Sequence, residues 1–311
     1  ASPSAIDASC AHILTGHSGY VLSLCIVGDV LFTGGQDGSV LIWDLNNLQY
    51  IGTLPGHKGF VRCLKASYAR KMLCSGSQDK TVKVWSLESF SCSKTLRGHS
   101  REVHAIVLCE AAALIISGGD DKTIRVWCMN KLLPLVVLDT AHNSGIFCLD
   151  ALPGDNVVSG SRDRSIKVWT TSSWGSVRTL HPPHYDSVTA FAVIDEGQRF
   201  FSASRDKSIK SWETADLQAS SHMLHAHDDW IFSLVAAPAE RLLFSGSKDT
   251  TVKVWDYNLR HKGDLQGHTG AVSSLCAFNG FLFSASHDKT VRVWRLSAAA
   301  AGGGSGAEAQ L

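Results

Sequence analysis

An excess of charge of one sign is missing from this 311-residue chain, in which 29 lysines and arginines face 28 aspartates and glutamates for a formal net charge of +1. With no global positive field, nucleic-acid binding is not expected and no membrane partner is called for. Long apolar runs are missing too. The longest, Leu132 to Leu138, is seven residues and carries Pro134, far short of the roughly 20 that cross a bilayer. The nine cysteines are odd in number and include no Cys-x-x-Cys pair, and the N-terminus lacks the basic and apolar segments of a secretory signal. The chain therefore reads as a soluble cytoplasmic protein with reduced thiols. Also absent are a Gly-x4-Gly-Lys phosphate loop, a dinucleotide Gly-x-Gly-x-x-Gly after a strand and a His-Glu-x-x-His helix, so no enzyme activity, cofactor or metal is expected. What is abundant is apolar material, 44% of residues at a mean hydropathy of +0.03. That excludes disorder for most of the chain.

Length alone suggests two domains, but internal repetition overrides that count. Trp43, Trp85, Trp127, Trp169, Trp212, Trp255 and Trp294 are separated by 42, 42, 42, 43, 43 and 39 residues. Six positions before each stands an aspartate, namely Asp37, Asp79, Asp121, Asp163, Asp206, Asp249 and Asp288. Four before each aspartate is a hydroxyl: Thr33, Ser75, Ser117, Ser159, Ser202, Ser245 and Ser284. A histidine precedes each aspartate by 20 to 22 residues: His17, His57, His99, His142, His184, His227 and His268. Chance does not produce this register seven times.

Residues 57–96 represent the unit. Apolar and polar residues alternate around Val61 and Cys63, Met72 and Cys74, Val82 and Val84, and Cys92 to Leu96, the period of half-buried strands. Turn formers fill Ser67 to Arg70, Gly76 to Lys80 and Ser86 to Ser89. Four strands in about 41 residues cannot bury their own faces, so each sheet must stack on its neighbours. Seven sheets arranged radially close a ring.

The pattern resembles the WD40 family of β-propellers, whose repeat opens near Gly-His and ends near Trp-Asp. Gly-His survives at Gly16, Gly56, Gly98 and Gly267, and Trp-Asp at Trp43-Asp44 and Trp255-Asp256. The resemblance implies an all-β, seven-bladed propeller over residues 10–297, with a flexible leader at 1–9 and an Ala/Gly/Ser-rich flexible tail at 298–311. It also implies that the His, Asp, hydroxyl and Trp of each unit form a structural hydrogen-bonded tetrad rather than a catalytic triad. The last unit lacks an outer strand of its own. Cys10 to Thr15, CAHILT, resembles the outer strands SCSKTL and HKGDLQ, and is expected to pair in the last blade and close the ring.

The remaining chemistry is sparse. His222, His225 and His227 are dense enough to suggest a metal, yet His227 belongs to its tetrad and no carboxylate or thiol completes a ligand spacing. Cys25, Cys63, Cys148 and Cys276 fall in repeat register and read as small apolar core residues.

Family propellers bind partners mostly on the face where loops meet the central channel. By resemblance, the exposed positions are the third and fifth residues after each repeat histidine and the residue before each repeat aspartate. They bring up aromatic residues Tyr20, Phe60, Phe147, Trp230 and Phe232, with Arg62 among them, and a basic arc of Arg162, Arg205 and Lys248. Aromatic and arginine side chains dominate interface energetics. The competing reading turns Phe60, Phe147 and Phe232 inward and pairs each cation with a neighbouring aspartate. The expected role is a non-catalytic scaffold, a fragment of a larger protein, that recognises a protein or peptide with an apolar anchor and acidic or phosphorylated flanks.

A narrower resemblance lies in Pro182–Val193 and Ala226–Pro238, which are similar to the C-terminal WD-repeat tails of kinesin motors. It implies cargo or microtubule attachment and a cytoskeletal location. The alternative is the substrate-recognition propeller of an F-box or RING-type ubiquitin ligase. The Arg that follows Trp-Asp by two residues in cullin adaptors is absent, since Asn46 and Asn258 stand there.

Overall fold

The computed structural model describes residues 9–139, 141–194 and 197–296. The expected leader, apart from Ser9, and the expected tail lie outside the described residues. Seven antiparallel four-stranded sheets account for the described strands, and no α-helix occurs among the described residues. Blade two shows the pattern: Val61–Ser67, Met72–Ser77, Thr81–Ser86 and Cys92–Arg97 follow one another from the axis outward. The second strand, buried along its whole length, carries Gly76. A Cβ there would come within 2.6 Å of Cys63 Sγ and 2.8 Å of Val103 Cγ1 in the next blade, so the tight inter-blade approach needs glycine at this position.

Ring closure is direct. Cys10–Thr15 pairs antiparallel with Thr290–Arg295, Cys10 facing Trp294 and Thr15 facing Thr290. The expected closure is therefore the one observed, and it leaves no blade short of an outer strand. Inner strands meet their neighbours around the ring, with Val21–Val27 of blade one against Val272–Phe278 of blade seven. Ser273 Oγ donates to the Val21 carbonyl across that seam.

The core lies between blades rather than within them, as sheets that cannot bury both faces alone require. Phe32, Val40, Ile42 and Leu54 of blade one pack on Val61, Leu64, Leu73 and Trp85 of blade two. Inside the inner strands runs a channel with a cavity volume of about 640 Å³. Cys25, Cys63, Cys148 and Cys276 all border it, a placement the core reading of these thiols did not include. Burial pushes Cys25 and Cys63 up to about 12 and Cys276 up to about 11, so they stay protonated. Lys65 and Asp150 also line the channel. Asp150 raises the Lys65 pKa, and burial raises that of Asp150.

Each inner strand carries the same irregularity. Pairing with the second strand slips between Val21 and Ser23, Val61 and Cys63, Val103 and Ala105, Ile146 and Cys148, Val188 and Ala190, Ile231 and Ser233, and Val272 and Ser274. The skipped residue is the fifth after the repeat histidine. A bulge re-aims its residue out of the ladder, and here all seven point into one mouth.

Candidate functional site

The mouth is built on the tetrads. In every blade the Trp indole N–H donates to the Thr or Ser hydroxyl at 2.8–3.0 Å. That hydroxyl lies 2.7–2.8 Å from the His Nε2. The other ring nitrogen, Nδ1, is 2.7–3.0 Å from the aspartate. One assignment satisfies every group: Nδ1–H donates to the carboxylate and Nε2 accepts from the hydroxyl. All seven hydroxyls are completely buried. Each hydroxyl links indole to imidazole, so no member of the relay is left buried and unpaired, which would cost about 1–3 kcal/mol per group.

The aspartate also shapes the surface turn. It accepts from the backbone N–H after the histidine, for example Ser18, Lys58 and Tyr185 at 3.0, 3.0 and 2.8 Å. A second N–H comes from two residues further along, as Ser39 and Thr81 do at 3.0 Å. Burial opposes ionisation of Asp37, but the Ser39 hydroxyl and His17 outweigh it and hold the carboxyl down to about 2. Two loops are thereby clamped together at each blade's rim.

Leu22, Arg62, His104, Phe147, Thr189, Phe232 and Ser273, the seven bulged residues, line one pocket of about 280 Å³ with Arg205, Trp230 and His287. Five of the nine expected partner-binding residues thus converge: Arg62, Phe147, Arg205, Trp230 and Phe232. Phe60, Phe147 and Phe232 are only partly buried. Phe60 stays beside the mouth beneath Arg62, whose guanidinium carbon is 5.0 Å from its ring. Tyr20 is 41% exposed and stacks on His287, ring centroids 4.4 Å apart at 8°. Phe232 lies 6.2 Å from the same imidazole.

The cations divide. Arg62 is bound to Glu102 through Nη2 at 3.0 Å and Nε at 3.2 Å. Lys248 reaches Asp229 at 3.2 Å while lying 4.4 Å from the Trp230 ring centroid. Arg205 is different: its guanidinium sits 5.1 Å from Phe147 and 4.6 Å from Trp230, and its buried Nε has no hydrogen-bond partner. Burial lowers its pKa. Neither Arg205 nor the exposed Arg162 forms an ion pair within 4.0 Å among the described residues. Pairing with a neighbouring aspartate therefore describes Lys248 but not the two arginines.

Some rim residues escaped the sequence reading. Tyr185 is 77% exposed on the clamped turn directly after His184. A search of the position following each repeat histidine would have included it. The role of Glu102 in holding Arg62, and the stacking of His287, had no sequence signal because their partners lie in other blades. Of the dense histidines, His222 and His225 are exposed, while His227 is buried on Asp249 and Ser245. No three His, Cys, Asp or Glu side chains group as metal ligands among the described residues. None of the described residues forms a helix long and apolar enough to cross a membrane.

Comparison with known proteins agrees with this geometry. A 68-residue stretch is 38% identical to the human lysosomal-trafficking regulator, covering 21% of this chain and 2% of that protein. Another of 61 residues is 36% identical to the small ribosomal subunit protein RACK1 of Caenorhabditis elegans, covering 19% of this chain and 18% of that protein. The chain thus spans only a small part of these relatives. The family model "WD domain, G-beta repeat" matches residues 8–44, 48–86, 90–128, 134–170, 174–213, 218–256 and 259–295. With seven matched repeats, bulged inner strands and seven tetrads, the chain belongs to the WD40 family of β-propellers.

Proposed function

We propose that this propeller is a non-catalytic scaffold whose channel mouth binds an acidic or phosphorylated peptide segment of a protein partner. WD40 propellers are typical protein-interaction scaffolds, and the mouth offers the two features such a ligand needs. Phe147, Trp230 and Phe232 supply a partly exposed aromatic wall for an apolar anchor. Arg205 carries the reading: it is held between two rings, forms no ion pair within 4.0 Å with a carboxylate among the described residues, and can donate in bidentate fashion to an anionic group. Arg162 adds a second exposed cation in the adjoining blade. The acidic tubulin tail suggested by the kinesin resemblance has the right charge, and so has a phosphorylated substrate of a ubiquitin ligase. These are two settings for one recognition chemistry.

The test is fluorescence polarisation with labelled acidic, phosphorylated and neutral peptides sharing an aromatic anchor. Trp230→Ala should weaken binding at least about 30-fold, as loss of a central aromatic anchor does. Arg205→Glu should weaken it too, and added salt should then reduce the difference from the unmodified protein. Equal affinity for all three proteins, or for charged and neutral peptides, would overturn the reading.

A further inference from the structure

The longest apolar run in the sequence is only half committed to the core: Leu132, Val136 and Leu138 pack against it, and the side chains between them face out. Leu133–Leu138 is the outer strand of blade three, and Leu133, Leu135 and Val137 are 51%, 55% and 39% exposed. Outer strands elsewhere carry polar side chains among their exposed positions: Cys92–Arg97 has Ser93 and Lys94, Ala219–Met223 has Ser220 and His222, and His261–Leu265 has His261 and Asp264. Gln49–Leu54 exposes Tyr50 and Ile51, and Cys10–Thr15 exposes Ile13, but each of these strands also exposes polar residues, Gln49 and Thr53 in the first, His12 and Thr15 in the second. Blade three alone has an outer strand with no polar side chain. Such an edge invites pairing unless something covers it.

The flanks indicate the cover. Lys131 stands at one end of the strand and Asp139 at the other, four residues to either side of Leu135. Both are exposed, and neither forms an ion pair among the described residues. A segment that begins with an unpaired cation, ends with an unpaired anion and is apolar between them is complementary to itself when reversed. We propose that two copies of this chain associate through these strands, antiparallel about a two-fold axis near Leu135, each Lys131 facing the partner's Asp139. The axis makes the contact isologous and closed.

Pro134 lacks an N–H, and a bulge leaves Leu135 with no partner in the neighbouring strand, since Trp127 pairs with Pro134 and Val126 with Val136. Two such edges meet through side chains and cannot extend into an open sheet. One strand per copy buries much less than the roughly 1,200–2,000 Å² of a standard interface. The dimer is accordingly weak and reverses on dilution.

Sedimentation velocity of the whole chain from about 1 µM to about 1 mM tests this. The unmodified protein should pass from monomer to dimer with concentration, and Leu135→Lys should remain monomeric. Lys131→Asp alone and Asp139→Lys alone should each lower dimer affinity about tenfold, as two attractive pairs become repulsive. Mixing those two variants should restore association, and so should placing both substitutions in one chain. Melting curves identify any variant that fails to fold, and the mixing result stands independently of Leu135→Lys. A monomer throughout, or a dimer indifferent to the charge reversals and to their mixing, would overturn the proposal.

Discussion

Thr250 adopts a φ of 75° on the turn after Asp249, where blade one has Gly38 at 78° and the other blades have Lys or Arg. A β-branched residue is poorly suited to this left-handed region, and of its atoms only the backbone N–H bonds, to Ser247. Thr250→Gly should therefore raise stability by about 0.5–1 kcal/mol, visible as a higher thermal midpoint. A fall would mean that the threonine side chain contributes more than its geometry shows. The tetrads give the same scale a pH dependence. Despite opposing burial, hydrogen bonds from histidine and hydroxyl hold Asp79, Asp121, Asp163, Asp206 and Asp249 well below the usual carboxylate range, with Asp37 at about 2. Their contribution is complete above the unfolded-chain value of about 4 and is lost as pH falls toward 2 and beyond. Burial also lowers His184 and His268, so the native rings stay neutral where an unfolded chain takes up protons. Stability should first decline below about pH 6.5 and then more steeply below about 4, as denaturant midpoints across that range would record. A flat profile from pH 7 to 3 would contradict the hydrogen-bond assignment.

Among the elements, the N-terminal strand matters most to integrity. Leu14 is buried in the cluster that joins blades seven and one, and Thr15 pairs with Thr290. Deleting residues 1–16 would expose the edge of Thr290–Arg295 and remove Leu14, so the thermal midpoint should drop sharply; an unchanged melt would refute closure by this strand. The four strands of blade two were readable because short runs at Val61, Met72 and Val82 stand between turn formers; the half-buried character expected from alternation fails at Met72–Ser77, which is buried on both faces because the next blade covers it. The mouth was readable in part, because each bulge recurs at a fixed distance from its histidine. Arg205 was legible as a cation but not as a ring-held one: Phe147 and Trp230 come from the blades on either side, and local sequence carries no record of that meeting. Leu132 to Leu138 was legible as apolar, yet its exposure depends on which strand of the blade it becomes.

At the scale of the molecule, the near-zero net charge conceals an uneven mouth. Arg62 is paired with Glu102 across blades two and three and His104 lies 3.2 Å from Asp120, whereas Arg162 and Arg205 of blades four and five form no ion pair within 4.0 Å among the described residues. The family repeats and the blades are also out of step. The match at residues 48–86 takes in the outer strand of blade one, Gln49–Leu54, and three strands of blade two. Every repeat consequently fastens two blades, and the seam between first and last is fastened the same way. Because Cys10 lies opposite Trp294, the chain enters and leaves this blade at the same end of one strand pair. Tension applied through those two points would load the pair's hydrogen bonds one after another, as in unzipping, rather than all together in shear. A ring that resists heat through shared burial would then yield early to force, opening first at the strand that closes it.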